Sequence, residues 1–271
     1  MMESNYLFDQ DLALTEDQAN SFQTTVSNNW SINGNPNGGY LLAILANAMQ
    51  QKSSKKDAII CTASYLSKTL PGPASLVLEN IGRSNHFDRW DARLVQDGIE
   101  KIRAMGTFSD PFSSIDTTNH TDKRYEKSPP DLAPKEDCMQ IPPMGNYTVY
   151  ENMEVRLDPR CAGWFNGSLI DISEHKGWIR FQDNRLFDAP ALLLAADAFP
   201  PPVFSSQGMV AWVPTIEFSV NIRNIPATPW LKCIFRTHFI NNGILEENGE
   251  LWDENDELIA VSRQIAQFRK K

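Results

Sequence analysis

The chain has 271 residues, 41% of them hydrophobic and 22% charged, which suits a folded core built as one large domain or as two fused modules of roughly 100–150 residues each. A formal net charge of −9 argues against nucleic acid as a partner, because that binding needs a concentrated basic surface. No run approaches the roughly 20 apolar residues of a membrane helix, so no membrane span is expected, and the start Met1-Met2-Glu3-Ser4-Asn5-Tyr6 has neither the basic region nor the apolar stretch of a signal peptide. With no export signal and four scattered cysteines (Cys61, Cys138, Cys161, Cys233), a cytoplasmic protein with reduced, buried thiols is expected.

The first block extends to about residue 112. Residues 21–30 are rich in strand formers, and Asn33-Gly34-Asn35-Pro36-Asn37-Gly38-Gly39 carries turn chemistry. Residues 40–51 read as a helix that is apolar on nearly every side, and such a helix is normally wrapped by other structure. Strands are expected at 58–68, 74–82, 86–96 and 101–108, with Asp97-Gly98 as the hairpin turn between the last two. Residues 113–148 form the connection to the second block. The part up to 143 is polar and Pro-rich without periodicity, and reads as a linker or surface excursion.

The second block, 149–271, repeats the order of the first. Strands are expected at 149–157 and 175–182, then a short apolar helix at 190–199. Pro190 is well placed in its first turn, and Pro200-Pro201-Pro202 ends it. Strands follow at 212–222, 231–240, 245–252 and 258–268, with Asn242-Gly243 and Asn248-Gly249 as turns. Residues 41–48 (LLAILANA) can be laid on 191–198 (ALLLAADA), and both halves close on two strands around an acidic turn. A repeat of strand, helix and four strands points to two copies of one α+β unit.

The sequence resembles thioesterase II-like (TesB-like) acyl-CoA thioesterases. In the first half the resemblance rests on Asn37-Gly38-Gly39-Tyr40-Leu41-Leu42, and on Tyr65-Leu66 followed by Pro71-Gly72-Pro73. In the second half it rests on Ala196-Asp197-Ala198-Phe199, Pro214-Thr215-Ile216-Glu217-Phe218-Ser219 and Ala260-Val261-Ser262-Arg263-Gln264. The resemblance implies a double hotdog, an α+β fold in which an antiparallel sheet wraps a helix in each module. It implies hydrolysis of acyl-CoA to a free acid and coenzyme A, a place in lipid metabolism, and a homo-oligomer. It implies no metal and no cofactor beyond the coenzyme A of the substrate. By motif, the residues that hold the attacking water fall on Asp197, Thr215 and Gln264.

The residues themselves bear on those roles. Asp197 stands near the end of an apolar helix, where its charge faces the negative end of that helix, an unfavourable placement by up to ~1 kcal/mol. Burial would raise its pKa, as suits a general base near neutral pH. Gln264 shares a strand face with small and apolar residues, and a primary amide there needs partners. Strict alternation puts Thr215 on the polar face with Glu217 and Ser219, opposite Phe218 and Val220. Either that face lines a wet cleft or a bulge at Pro214 re-aims the side chain. The matching first-half positions are Asn47, Thr62 and approximately Thr107. Asn47 cannot act as a carboxylate base, so the first module looks degenerate.

Gly38 and Gly39 expose backbone N–H groups at a positive helix end, where a thioester oxygen could be polarised, or they simply make a tight turn. The histidines His86, His120, His175 and His238 have no metal-ligand spacing, and there is no GxSxG elbow, P-loop or dinucleotide fingerprint. The alternatives to a thioesterase are a non-catalytic acyl-CoA or lipid-binding hotdog protein and an enoyl-CoA hydratase.

Overall fold

A computed structural model describes residues 5–110 and 125–270. His120 and the start of the expected connection lie outside the described residues. The principal elements of the first half are β1 (Ser21–Val26), α1 (Gly38–Lys52), β2 (Asp57–Tyr65), β3 (Gly72–Arg83), β4 (Asp88–Gln96) and β5 (Ile99–Ser109). Those of the second are β6 (Met153–Leu157), β7 (Ser173–Phe181), α2 (Ala189–Ala195), β8 (Thr215–Ile222), β9 (Leu231–Thr237), β10 (Ile244–Asp253) and β11 (Leu258–Gln267).

Helix α1 starts where its chemistry directs. The Asn37 side chain accepts from the Tyr40 N–H at 3.0 Å, an N-cap. Gly39 through Ala46, with Ala48 and Met49, are buried, so the helix has almost no solvent face. Helix α2 is capped by Asp188, which accepts from the Ala191 N–H at 3.0 Å, and carries Pro190 in its first turn. It is shorter than the pattern predicts: all of Ala189–Ala195 is buried, and residues 196 and 197 form a turn instead of continuing the helix.

The strand order is β1-β3-β4-β5-β2 in the first half and β7-β9-β10-β11-β8 in the second, the same permutation twice. The halves join where β2 pairs antiparallel with β8, Thr62 opposite Ser219, giving one continuous antiparallel sheet. One hydrophobic core spans both helices and the inner face of the sheet in both halves. This is the expected double hotdog. All four cysteines are buried and free. Among the described residues, no helix is long and apolar enough to cross a membrane.

The turn signals are met unevenly. Asp97-Gly98 and Asn242-Gly243 both have positive φ at both positions, the geometry of a tight hairpin. Asn248-Gly249 is not a turn but lies inside β10, paired with Arg263 and Ser262 of β11. Gly249 is there for space: a Cβ would stand 2.3 Å from Ser262 Oγ and 2.6 Å from a Phe235 ring carbon. The turn falls at residues 254–257, where the Asp253 carboxylate accepts from the Asn255 and Glu257 N–H groups at 2.8 and 2.9 Å. Residues 149–152 are a helical turn ahead of β6 rather than part of the strand. The described part of the connection is packed onto the module rather than a free linker: Trp178 Nε1 donates to Ala133 O at 3.0 Å, Met139–Gln140 pairs with β6, and Ile141 is buried in the main core.

Candidate active site

The start of α1 meets the end of α2. Gly39 tolerates no side chain, because a Cβ would lie 2.3 Å from Leu193 O and 2.9 Å from Asp197 Cβ. This close approach carries the Asp197 carboxylate onto the α1 N-terminus, where Oδ2 accepts from Gly39 N–H at 2.9 Å. Asn37 fixes the same contact twice: its oxygen caps α1, and its Nδ2 donates to the Asp197 backbone carbonyl at 2.7 Å. Asp197 thus lies at the unfavourable end of its own helix but at the favourable, positive end of the other. The sequence shows only the first half of that arrangement.

Burial pushes the Asp197 carboxyl up to about 6, and the N–H groups of Gly38 and Gly39 and the Asn37 side chain pull in the opposite direction. Its charge reaches Tyr65 and Tyr150, whose phenols are raised first by their own burial and then by Asp197. Tyr65 donates to Gly38 O at 2.7 Å and so braces the glycine turn from the neighbouring strand.

Thr215 is turned inward by a bulge, which lies at Ile216 rather than at Pro214. Thr215 pairs with Ala266, whereas Glu217 pairs with Ile265, so Ile216 is an extra residue in β8. Directly opposed residues put their side chains on the same face of a sheet. Thr215 therefore joins Ala266, Phe218 and Gln264 on the inner face, with Phe218 and Ala266 fully buried there. Gln264 Nε2 donates to Thr215 Oγ1 at 2.5 Å.

The glycine expectation needs a correction. The Gly39 N–H is already taken by Asp197, so it is not free to polarise a substrate oxygen. The close approach to α2 explains the glycine without any ligand. In the first module the matching positions are structural: Asn47 Nδ2 donates to Leu12 O at 2.9 Å, and Thr62 Oγ1 bonds Ser219 Oγ at 2.7 Å on the outer face of the module junction.

One site residue has no counterpart in the sequence reading. Glu247 of β10 stands directly opposite Gln264 and is buried. Burial, then the charge of Asp197, raises its carboxyl well above the ordinary range. Strand alternation carries the signal, since Leu245, Glu247, Gly249 and Leu251 are the buried series of β10. The adjacent Glu246-Glu247 pair hides it, because one glutamate faces out and the other in.

The candidate residues are a buried carboxyl raised to about 6 at the start of α1 and a threonine–glutamine pair on the inner face of the second module's sheet, with no hydrogen bond between the two. That set can hold a water and take its proton. Surface depressions beside Gln10 and Thr24, and over Ser219, Asn248 and Arg263, lie elsewhere and include none of these residues.

Comparison with known proteins assigns both halves. Residues 26–109 match the acyl-CoA thioesterase N-terminal domain, and residues 126–268 match the acyl-CoA thioesterase C-terminal domain. An uncharacterized protein of Mycobacterium tuberculosis is 22% identical over 268 residues, covering 90% of each chain. Among solved structures, a candidate thioesterase II from Thermobifida fusca superposes with a TM-score of 0.87 at 22% identity over 98% of both chains. The acyl-CoA thioesterase II TesB2 of Mycobacterium marinum superposes with a TM-score of 0.73 at 15% identity, over 97% of this chain and 98% of its own.

Proposed function

The chain belongs to the acyl-CoA thioesterase family, TesB-like in both halves, and from that premise we propose that it hydrolyses acyl-CoA to a free acid and coenzyme A. One combination supports the reading: a buried carboxyl of raised pKa at Asp197, and a Thr215–Gln264 hydrogen bond on the inward face of the same module's sheet.

In the proposed mechanism a water is held by Asp197, Thr215 and Gln264. Asp197 removes its proton as the water oxygen attacks the thioester carbonyl. The tetrahedral intermediate collapses with cleavage of the C–S bond. The sulfur leaves with the bonding pair and is protonated, returning Asp197 to its anionic form. Gln264 bonds to Thr215 through Nε2, which leaves its carbonyl oxygen to accept from the water. The first module supplies the α1 N-terminus on which Asp197 rests, so the degenerate half is still required. We place the protein in the cytoplasm, which cell fractionation tests, and as a homo-oligomer, which light scattering on the purified protein tests.

The function is tested by following free thiol when purified protein meets acyl-CoAs of several chain lengths, with Asp197→Ala alongside. Thiol release that disappears in the variant supports the reading. Hydration of an enoyl-CoA without thiol release supports a hydratase, and binding without turnover supports a carrier.

A further inference from the structure

Several donors around Asp197 are committed to the protein itself. Gly39 N–H and one Asn37 N–H serve the aspartate, the Tyr65 hydroxyl serves Gly38 O, and one Gln264 N–H serves Thr215. The oxygen of the substrate carbonyl needs a donor, because negative charge develops there as water attacks. Glu247 and the Tyr150 phenol are donors still open, and of the two Glu247 stands directly opposite Gln264. Glu247 is a buried carboxyl, and among the described residues no hydrogen bond or ion pair reaches its side chain. A carboxyl on a mostly buried face with no protein partner is left for a ligand or water to complete.

We propose that Glu247 is a catalytic residue: its carboxyl O–H donates to the thioester carbonyl oxygen of bound acyl-CoA and holds the oxyanion that forms there. This rests on the thioesterase reading above. As the water oxygen bonds to the carbonyl carbon and Asp197 takes the proton, the carbonyl π pair moves onto oxygen, where the Glu247 O–H meets it. When the C–S bond breaks, that pair re-forms the carbonyl and Glu247 keeps its proton. No oxidant or second reactant is required.

Two carboxyls in one site divide the labour by environment. Asp197, with its helix N-terminus, carries the negative charge. Glu247 faces that charge, with Glu246 behind it, and stays protonated. Tyr65 and Tyr150 also sense Asp197.

The test compares Glu247→Leu with Glu247→Gln, which keeps an N–H donor but cannot ionise, in thiol release across pH. E247L is expected to lose about 10²-fold or more in kcat with little change in KM, and E247Q to stay within about tenfold of wild type. Wild type is expected to lose activity on the alkaline side as Glu247 ionises, and E247Q to lack that limb while keeping the acid one. E247L within threefold of wild type, or an E247Q profile with an unchanged alkaline limb, overturns the proposal. If E247L does not fold, the E247Q profile decides alone.

If wild type itself releases no thiol, the thioesterase reading has failed. The donor role is then read separately, by infrared difference spectra on adding a ketone analogue of acyl-CoA with CH2 in place of sulfur. A shift in the protonated-carboxyl band that E247Q lacks supports the role, and no shift overturns it.

Discussion

The Asp197 carboxylate receives the Gly39 N–H at 2.9 Å, so the carboxylate at the end of one module's helix is held by the first turn of the other's. The proposed base belongs to the second repeat, but its electrostatic support belongs to the first. The first module carries Asn47 at the position that matches Asp197 and two glycines at the start of its helix.

The position of the Asp197 titration sets both activity and stability. As a base it acts when ionised, so kcat/KM is expected to rise with pH through about 6. The stability effect has the opposite sign. A carboxyl whose folded pKa is raised favours the fold at pH below its unfolded value near 4, and that contribution is lost as pH rises through about 6. Asp197→Asn is expected to abolish turnover while raising stability at pH 7 by up to about 3 kcal/mol, a gain that fades near pH 4. Denaturant melts at the two pH values check it.

Gly38 and Gly39 fail differently when replaced. Gly39→Ala sets a methyl against Leu193 O and the body of Asp197 and is expected to cost about 3 kcal/mol or more, because backbone must move. A Cβ at Gly38 meets Asp197 Oδ2 at 3.0 Å and Tyr65 Oη at 3.1 Å, which are ends of side chains. Gly38→Ala is expected to stay folded and lose activity. Thermal melts beside thiol-release assays separate the two.

Asn37 does two jobs that substitution can divide. Asn37→Ser keeps an N-cap oxygen for Tyr40 and removes the donor to Asp197 O. Asn37→Asp also keeps the cap and adds a negative charge beside Asp197. The acid limb of the pH profile is expected to move upward in N37D more than in N37S, and N37D, which sets an acceptor against the buried Asp197 carbonyl, is expected to lose about 1–3 kcal/mol of stability.

Thr215 is expected to matter through its hydroxyl alone. Thr215→Ser keeps the acceptor for Gln264 Nε2 and is expected to keep most activity. Thr215→Val leaves a buried amide N–H without that partner, costing about 1–3 kcal/mol and a large part of kcat.

Much of the fold was legible because hydrophobic period and turn chemistry agree along most of the chain. The wrapped α1 and the Asp97-Gly98 and Asn242-Gly243 hairpins follow from local pattern. Asn248-Gly249 misled because a glycine required by the Phe235 and Ser262 side chains looks like a glycine required by a turn. The residue types at Asp197, Thr215 and Gln264 were legible from motif, but their surroundings were not. The bulge that turns Thr215 inward depends on pairing with β11, and the partner of Asp197 lies 158 residues away in sequence. Glu247 was missed because its inward direction is fixed by strand register, which two adjacent glutamates do not reveal.

The most direct test of water activation at Asp197 is a single turnover of acyl-CoA, with enzyme in excess, in water enriched in oxygen-18. The account predicts that the released acid carries one labelled oxygen after the first turnover and that no label enters Asp197. Unlabelled acid in that first turnover, with oxygen-18 appearing in the Asp197 carboxyl afterwards, would show that the carboxylate attacks the thioester itself and would contradict the account.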